Sequence, residues 1–263
     1  MPALITITTD FGLRDPFVGI VKGVILAINA DVKLVDLTHE VESFDVLEGA
    51  LTLAQSYGYF PHGTIHLVVV DPGVGSERRP ILLSTPDAVF VGPDNGIFSL
   101  IYEREPAFEV RQILAEQYFR RPVSQTFQGR DIFAPVAAWL SRGTAAANFG
   151  PVIGDYVRVA APRPQKSGDG RLQGSVLRID KFGNVITNFR PGDLPAHFRL
   201  LVRKRAITHL VTSYSAGESG EVFAIVGSAG FVEISAREAS AAGILGAQKG
   251  DPVQLEAPKR AAF

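Results

Sequence analysis

The chain has 263 residues, enough for one or two domains with substantial cores. Lys+Arg is 26 and Asp+Glu is 27, so the formal net charge is -1, and charge gives no reason to expect nucleic acid or an anionic membrane as partner. There is no cysteine, which excludes disulfides and cysteine zinc sites and leads to the expectation of a cytoplasmic protein.

The start, MPALITITTDFG, has no basic leader and meets Asp10 early, so it is not read as a signal peptide. The apolar run IHLVVV (65–70) is too short to span a bilayer. Five short apolar runs recur in the first 160 residues: LITITT (4–9), KLVDL (33–37), IHLVVV, ILLS (81–84) and AVFVG (88–92). They do not alternate with polar residues, which predicts strands buried on both faces. Helical patterns lie between them. Over 16–29, Val18, Val21, Ile25 and Ile28 share a face, with Asp15 expected as N-cap and Pro16 at the first helical position. Over 44–57, Phe44, Leu47, Leu51 and Ala54 make a second stripe. The alternation predicts an α/β N-terminal domain over 1–161 with a mainly parallel sheet.

At 162–174 the sequence PRPQKSGDGRLQG reads as a linker. Beyond it, SVLRI, NVITNF, FRLLV, EVFAIVG, FVEIS and DPVQLEA predict a small all-β C-terminal domain over 175–263, barrel-like or a sandwich.

Five stretches hold polar residues that folding alone does not demand. In TTDFGLRDPF (8–17), Asp10 ends a buried strand, where α/β folds bind ligands, and Asp15 follows a Gly-containing turn. Turn and cap roles are the alternative for these two. In VVVDPGVGSERRP (68–80), Asp71 follows a strand and Arg78 and Arg79 follow a Gly loop. Such an Asp–Arg pair can orient a water, or can be a structural ion pair. FVGPDNGIFSL (90–100) reads as a turn before a helix. In TFQGRDIFAP (126–135), Asp131 is expected as a helix N-cap with Pro135 in the first turn, and Gln128 lies just before that helix. In IDKFGNVITNF (179–189), Asp180, Phe182 and Asn184 sit at a bend; they suit an amino-acid-bearing nucleoside or form a plain hairpin turn. The five histidines, at 39, 62, 66, 197 and 209, have no metal-binding spacing, so no metal site is expected, and there is no G-x-S-x-G elbow. The residues alone lead to an acidic, Arg-tethered cleft for a small ligand.

These stretches, with DLTHEV (36–41) and GSAGFVEIS (227–235), resemble the S-adenosylmethionine hydroxide adenosyltransferases, relatives of fluorinase and chlorinase, in order and over nearly the whole chain. The resemblance implies hydrolysis of S-adenosylmethionine to adenosine and methionine by an oriented water at ribose C5′, with no cofactor beyond the substrate. It also implies a homotrimer with sites between subunits. By resemblance, Asp10 matches a ribose-binding residue and Asp15 a contact of the methionine amino group. Asp180 matches a second methionine-binding carboxylate, Asn184 an adenine-reading amide and Phe182 a pocket aromatic. Tyr214 matches an adenine-stacking aromatic and Ser228 a methionine contact. Asp71 and Arg78 match two of three water-orienting residues. The third is a His in the family, and this chain has Gln128, which can hydrogen-bond a water but cannot take its proton. A chloride-using adenosyl transferase, compatible with Gly129, and an S-adenosylmethionine or adenosine binding protein without fast catalysis are the alternatives.

Overall fold

The computed structural model describes residues 3–168 and 171–256. Residues 169–170 of the expected linker and 257–263 of the expected β-rich region lie outside them. Internal contacts divide the chain into two compact units, Met1–Ala161 and Pro162–Phe263.

The first unit runs β1 (Leu4–Thr9), α1 (Phe17–Ile28), β2 (Lys33–Thr38), α2 (Val46–Ser56), β3 (Thr64–Val69), β4 (Pro80–Ser84), β5 (Ala88–Pro93), α3 (Ser99–Arg104), β6 (Glu109–Gln112) and α4 (Ala134–Ser141). Its sheet has the order β2-β1-β3-β5-β4-β6. The four strands from β2 to β5 are parallel, and β4 is antiparallel to both β5 and β6. β1 and β3 are buried along almost their full length, as their unbroken apolar runs demand, whereas β2 is an edge strand and stays half exposed. Val21, Ile25, Phe133, Val136 and Ala137 pack α1 and α4 onto β1 and β3.

Three local expectations are corrected. Helix α1 begins at Phe17, its N-cap is Pro16, and no side chain caps it, so Asp15 lies outside the helix and is exposed. Asp45 caps α2 by accepting the Glu48 N–H at 2.8 Å. Phe44 therefore precedes that helix instead of lining its buried stripe; it is exposed, with φ 71°. Asp131 is no N-cap: it sits inside a π-helical turn, Gly129–Phe133, that runs into α4. The Asp131 side chain is fully buried, receiving Arg130, Arg120 and the Ser124 N–H. Burial pushes its carboxyl up, but the Arg130 and Ser124 hydrogen bonds outweigh that and hold it below the usual carboxylate range.

The second unit contains β7 (Gln165–Lys166), β8 (Leu172–Ile179), β9 (Val185–Thr187), β10 (Arg199–Val202), β11 (Arg205–Ile207), β12 (Leu210–Val211), β13 (Val222–Val226), β14 (Val232–Ala236), α5 (Ala241–Leu245) and β15 (Pro252–Glu256). Eight strands follow the path β11-β10-β15-β8-β9-β14-β13-β12, and β7 pairs with β8. All pairs are antiparallel except β12 with β13. The sheet curls, so that β11 comes back against β13 and Leu200, Val202, Ala224, Val232 and Val253 fill one core. Within the stretch expected as a linker, Gln165 and Lys166 pair with Gln173 and Leu172 as a polar edge hairpin.

Candidate functional site

In the first unit the site forms where neighbouring parallel strands end. β1 and β3 run in register to Thr9 and Val69, so Asp10, and Asp71 one residue further along, leave the sheet at its carboxyl edge. They line a cavity of about 290 Å³ with Phe11, Phe17, Phe44, Val74, Gln128 and Gly129. Asp10 Oδ2 accepts the Phe44 N–H at 2.9 Å, which ties the β1 loop to the entrance of α2. Burial, with a smaller contribution from the charge on Asp71, raises the Asp10 pKa above its ordinary 3.8, although the Phe44 N–H pulls the other way.

Asp71 is held by Arg78. Arg78 Nε donates to Asp71 Oδ1 at 2.8 Å, and Nη2 donates to Asp71 Oδ2. The pair is almost wholly buried. Arg78 Nη2 also donates to Gln128 Oε1 at 2.7 Å. A guanidinium only donates, so the Gln128 amide is turned with its oxygen to Arg78 and its NH₂ free to serve the cavity. The Arg78 cation lies 5.1 Å from the centre of the Phe133 ring.

Two local features keep these three residues together. Gly75 has φ 80°, and a Cβ there would fall 2.4 Å from the Gln125 carbonyl oxygen, so the loop carrying Asp71 and Arg78 packs backbone to backbone on the segment leading to Gln128. The π turn then begins directly after Gln128 and is closed by the Ala134 N–H on the Gly129 carbonyl. Arg79 does not join the site; it pairs with Asp94 and Asp155. Asp94 also accepts the Val157 N–H, which makes the PDN turn a structural anchor.

Behind Asp10 a polar relay, half-exposed at Lys22 and Asp36 and buried at His39 and Thr9, fixes the β1 loop. Lys22 Nζ donates to Asp36 Oδ2 at 2.6 Å, Asp36 Oδ1 lies 3.1 Å from His39 Nε2, and His39 Nδ1 meets Thr9 Oγ1 at 2.9 Å. Thr9 Oγ1 accepts the Phe11 N–H, and the His39 carbonyl accepts the Gly12 N–H.

The second unit has its own cleft of about 680 Å³, lined by Asp180, Phe182, Asn184, Tyr214, Ala236, Glu238, Ala239 and Ser240. The β8–β9 turn builds it. Gly183 takes φ 84°, and a Cβ there would strike Ser240 Oγ at 2.1 Å, while its carbonyl accepts the Ala242 N–H. Phe182 and Tyr214 present exposed rings. Tyr214 Oη donates to Glu233 Oε2 at 3.2 Å, and burial raises the Glu233 pKa.

Of the residues nominated from sequence, Asp10, Asp71 and Gln128 line one cleft with Arg78 behind them, and Asp180, Phe182, Asn184 and Tyr214 line the other. Asp15 and Ser228 are exposed and belong to neither wall. The sequence reading missed the edge-to-face cluster of Phe11, Phe17 and Phe127, with centroids 5.3–6.0 Å apart, and the cleft residues Phe44 and Glu238. For the phenylalanine cluster the signal was present, since TTDFGLRDPF and TFQGRDIFAP each carry two phenylalanines. Glu42, Asp45 and Glu48 bring carboxylate oxygens within 4.8 Å of one another at the start of α2, where Asp45 is occupied as the helix cap. Among the described residues no helix is long and apolar enough to cross a membrane.

A carboxylate–guanidinium–amide cluster at the ends of parallel strands, with an aromatic and acidic cleft on a separate β unit, defines an α/β protein built to handle a small ligand with apolar and polar parts. Residues 5–150 match the SAM hydroxide adenosyltransferase N-terminal domain and residues 174–254 match its C-terminal domain; the chain belongs to this family. It is 37% identical to an (R)-S-adenosyl-L-methionine hydrolase of Salinispora tropica, covering 96% of this chain and 97% of that protein. A protein of the same description from Thermus thermophilus is 34% identical over 94% of this chain and 97% of its own. A fluorinase of Nocardia brasiliensis is more distant, at 26% identity over 96% of both. Among solved structures, a conserved protein of Thermotoga maritima superposes with TM-score 0.87 at 34% identity, over 95% of this chain and 99% of that one.

Proposed function

We propose that this protein is a hydrolase that converts S-adenosyl-L-methionine and water to adenosine and L-methionine. The observation that best supports this reading is the Asp71–Arg78–Gln128 contact set at the wall of the first cleft, in a chain whose relatives over almost its full length are described as (R)-S-adenosyl-L-methionine hydrolases.

The reaction forms a C5′–O bond and breaks the C5′–S bond. The sulfonium departs as a neutral thioether, so the leaving group needs no proton. What the protein must supply is a water held in line with the C–S bond and polarised toward hydroxide. Asp71 accepts a hydrogen bond from that water. Arg78 fixes the orientation of the carboxylate through two charge-assisted hydrogen bonds. Gln128, its oxygen anchored on Arg78, offers its NH₂ to the water oxygen and steadies the negative charge that develops there. The proton leaves to Asp71 or to solvent after displacement.

Asp10 has lone pairs beyond the one given to Phe44 N–H, and these accept the ribose hydroxyls. Phe182 and Tyr214 flank the base, and Asn184 reads its edge. Asp15, Asp180 and Ser228 are carried as contacts of the methionine part, on the resemblance alone. A homotrimer, in which a neighbouring copy supplies the second cleft, and a cytoplasmic setting complete the reading; no cofactor enters the chemistry.

The test is turnover by purified protein. Incubation with S-adenosylmethionine in chloride-free buffer yields adenosine and methionine in equal amounts. Formation of a 5′-chloro nucleoside only when chloride is added assigns a halide nucleophile instead, and binding without any product reduces the protein to a binding module.

A further inference from the structure

We infer that Asp180 is a positioning residue that fixes which end of the Asn184 amide faces the base, and thereby sets the preference for a 6-amino over a 6-oxo purine nucleoside. The inference rests on the proposed function, because it takes the second cleft as the place where the adenosine part is held.

The resemblance gives Asp180 to the methionine amino group. Its hydrogen bonds give it a further task. Oδ1 accepts the backbone N–H groups of both Phe182 and Asn184, each at 2.9 Å. Oδ2 accepts Asn184 Nδ2 at 2.8 Å. A carboxylate offers about four acceptor positions, so three are spent inside this one turn. The amide orientation follows from chemistry: a carboxylate only accepts, so the end of Asn184 that faces it must be the NH₂. Asn184 Oδ1 is then the free end. It accepts no hydrogen bond among the described residues, and Asn184 lines the cleft.

A free acceptor on a residue of the cleft wall matches the exocyclic amine of adenine, which donates. A 6-oxo purine presents an acceptor at the same position, and two acceptors cannot pair. A site that hydrogen-bonds a group in this way rejects the analogue lacking it, because a buried partner is left unpaired. The turn holds the pair rigidly: Gly183 is wedged against Ser240, and the Asp180 N–H donates to the Asn184 carbonyl at 3.0 Å.

Asp180→Asn is the informative change. Its remaining oxygen can still receive the two backbone N–H groups, which keeps the turn. Its new NH₂ meets the Asn184 amide, and Asn184 turns to accept from it, showing its own NH₂ to the base. Calorimetric titration of full-length protein with adenosine and with inosine reads the outcome. Wild type favours adenosine by roughly tenfold or more, and Asp180→Asn lowers the adenosine-to-inosine ratio by at least about tenfold. Neither nucleoside carries an amino acid, so a role confined to the methionine ammonium leaves the ratio unchanged, and that result in a folded variant overturns the inference. Asp180→Ser, whose hydroxyl can still accept the Phe182 N–H but cannot fix the amide, should bring the ratio toward one; an intact ratio there overturns it as well. Wild-type protein that binds neither nucleoside overturns the proposed function itself, a distinguishable failure.

Discussion

Arg78 holds Asp71 and Gln128 with the same guanidinium, donating to Gln128 Oε1 at 2.7 Å from the Nη2 that also serves Asp71. Position 128 is thus part of one hydrogen-bonded unit with the carboxylate, and its free end is an amide NH₂ that can donate to a nucleophile but cannot accept its proton. Gln128→His puts a proton acceptor near neutral pH in that place. The rate constant for adenosine release should rise by about tenfold or more, general-base contributions being on the order of 10²–10⁴, with KM moving much less. The pH profile should gain an acid limb from the imidazole. An unchanged rate in a folded variant would remove Gln128 from the water-orienting set.

Asp71→Asn should leave nucleoside binding in place and lower turnover by on the order of 10²-fold or more, since it takes away the acceptor that aligns and polarises the water. Single-turnover adenosine formation at saturating S-adenosylmethionine measures this. A variant with wild-type turnover would sink the mechanism.

The same variant tests the electrostatics of Asp10. Burial and then the Asp71 charge raise the Asp10 pKa, so Asp10 stays protonated to higher pH in the folded protein than in the unfolded chain. A protonated carboxyl has lost one acceptor position, so adenosine affinity should fall as pH drops through that raised value. The sign for stability is the opposite: the contribution of Asp10 is present below its unfolded pKa and is lost as pH rises through the folded one. In Asp71→Asn the acid limb of adenosine binding should move to lower pH. A limb that stays put, measured by titrations from pH 4 to 7, would mean that the two carboxylates do not interact.

His66 makes an independent prediction about acid stability. It is fully buried on β3, bonds Thr6 Oγ1 at 2.7 Å and stacks on Phe90. Burial pushes its pKa down to about 4 from an ordinary 6.5. The unfolded chain therefore binds the extra proton first, and stability should fall as pH drops from about 6.5 to about 4, by about 3 kcal/mol over the whole window. Urea midpoints across this range should show that slope in wild type. His66→Leu should be less stable at pH 7, having lost the Thr6 bond, and should show a shallower fall in stability than wild type between pH 6.5 and 4.

Much of this arrangement was legible in the sequence, for identifiable reasons. The runs 4–9, 65–70 and 88–92 announced buried strands because strands covered on both faces have no polar alternation. Asp10 and Asp71 were found because each directly follows such a run. The expected caps at Asp15 and Asp131 failed because a capping residue was inferred from spacing alone; Pro16 took the first boundary, and a π turn with three donors for Asp131 replaced the second. Phe44 broke its helical stripe because its left-handed backbone serves Asp10 and the cleft. The tie between Arg78 and Gln128 spans 50 residues and depends on the close approach of Gly75 to Gln125, which no local pattern encodes. The spacing of Asp180 and Asn184 was visible, but not that one would consume the other's amide.

Gly129 offers the sharpest test of the nucleophile. It lines the first cleft beside Gln128. A Cβ there would meet Phe11 Cζ and Val69 Cγ1 at 3.4 Å, at the tight edge of ordinary contact, so Gly129→Ser should fold with little change in Tm. The new hydroxyl adds a donor that a halide could use. Asp71 nevertheless remains, and a chloride about 4 Å from a carboxylate is opposed by roughly 4 kcal/mol at an effective dielectric of 20. Gly129→Ser should therefore still give adenosine as its nucleoside product in chloride, whereas Gly129→Ser combined with Asp71→Asn removes the opposing charge and is the variant in which 5′-chloro-5′-deoxyadenosine should first be detected. Chromatography of the products distinguishes the cases. Chlorinated product from the single variant, or from wild type, would show that the Asp71 carboxylate does not exclude halide and would reassign the nucleophile.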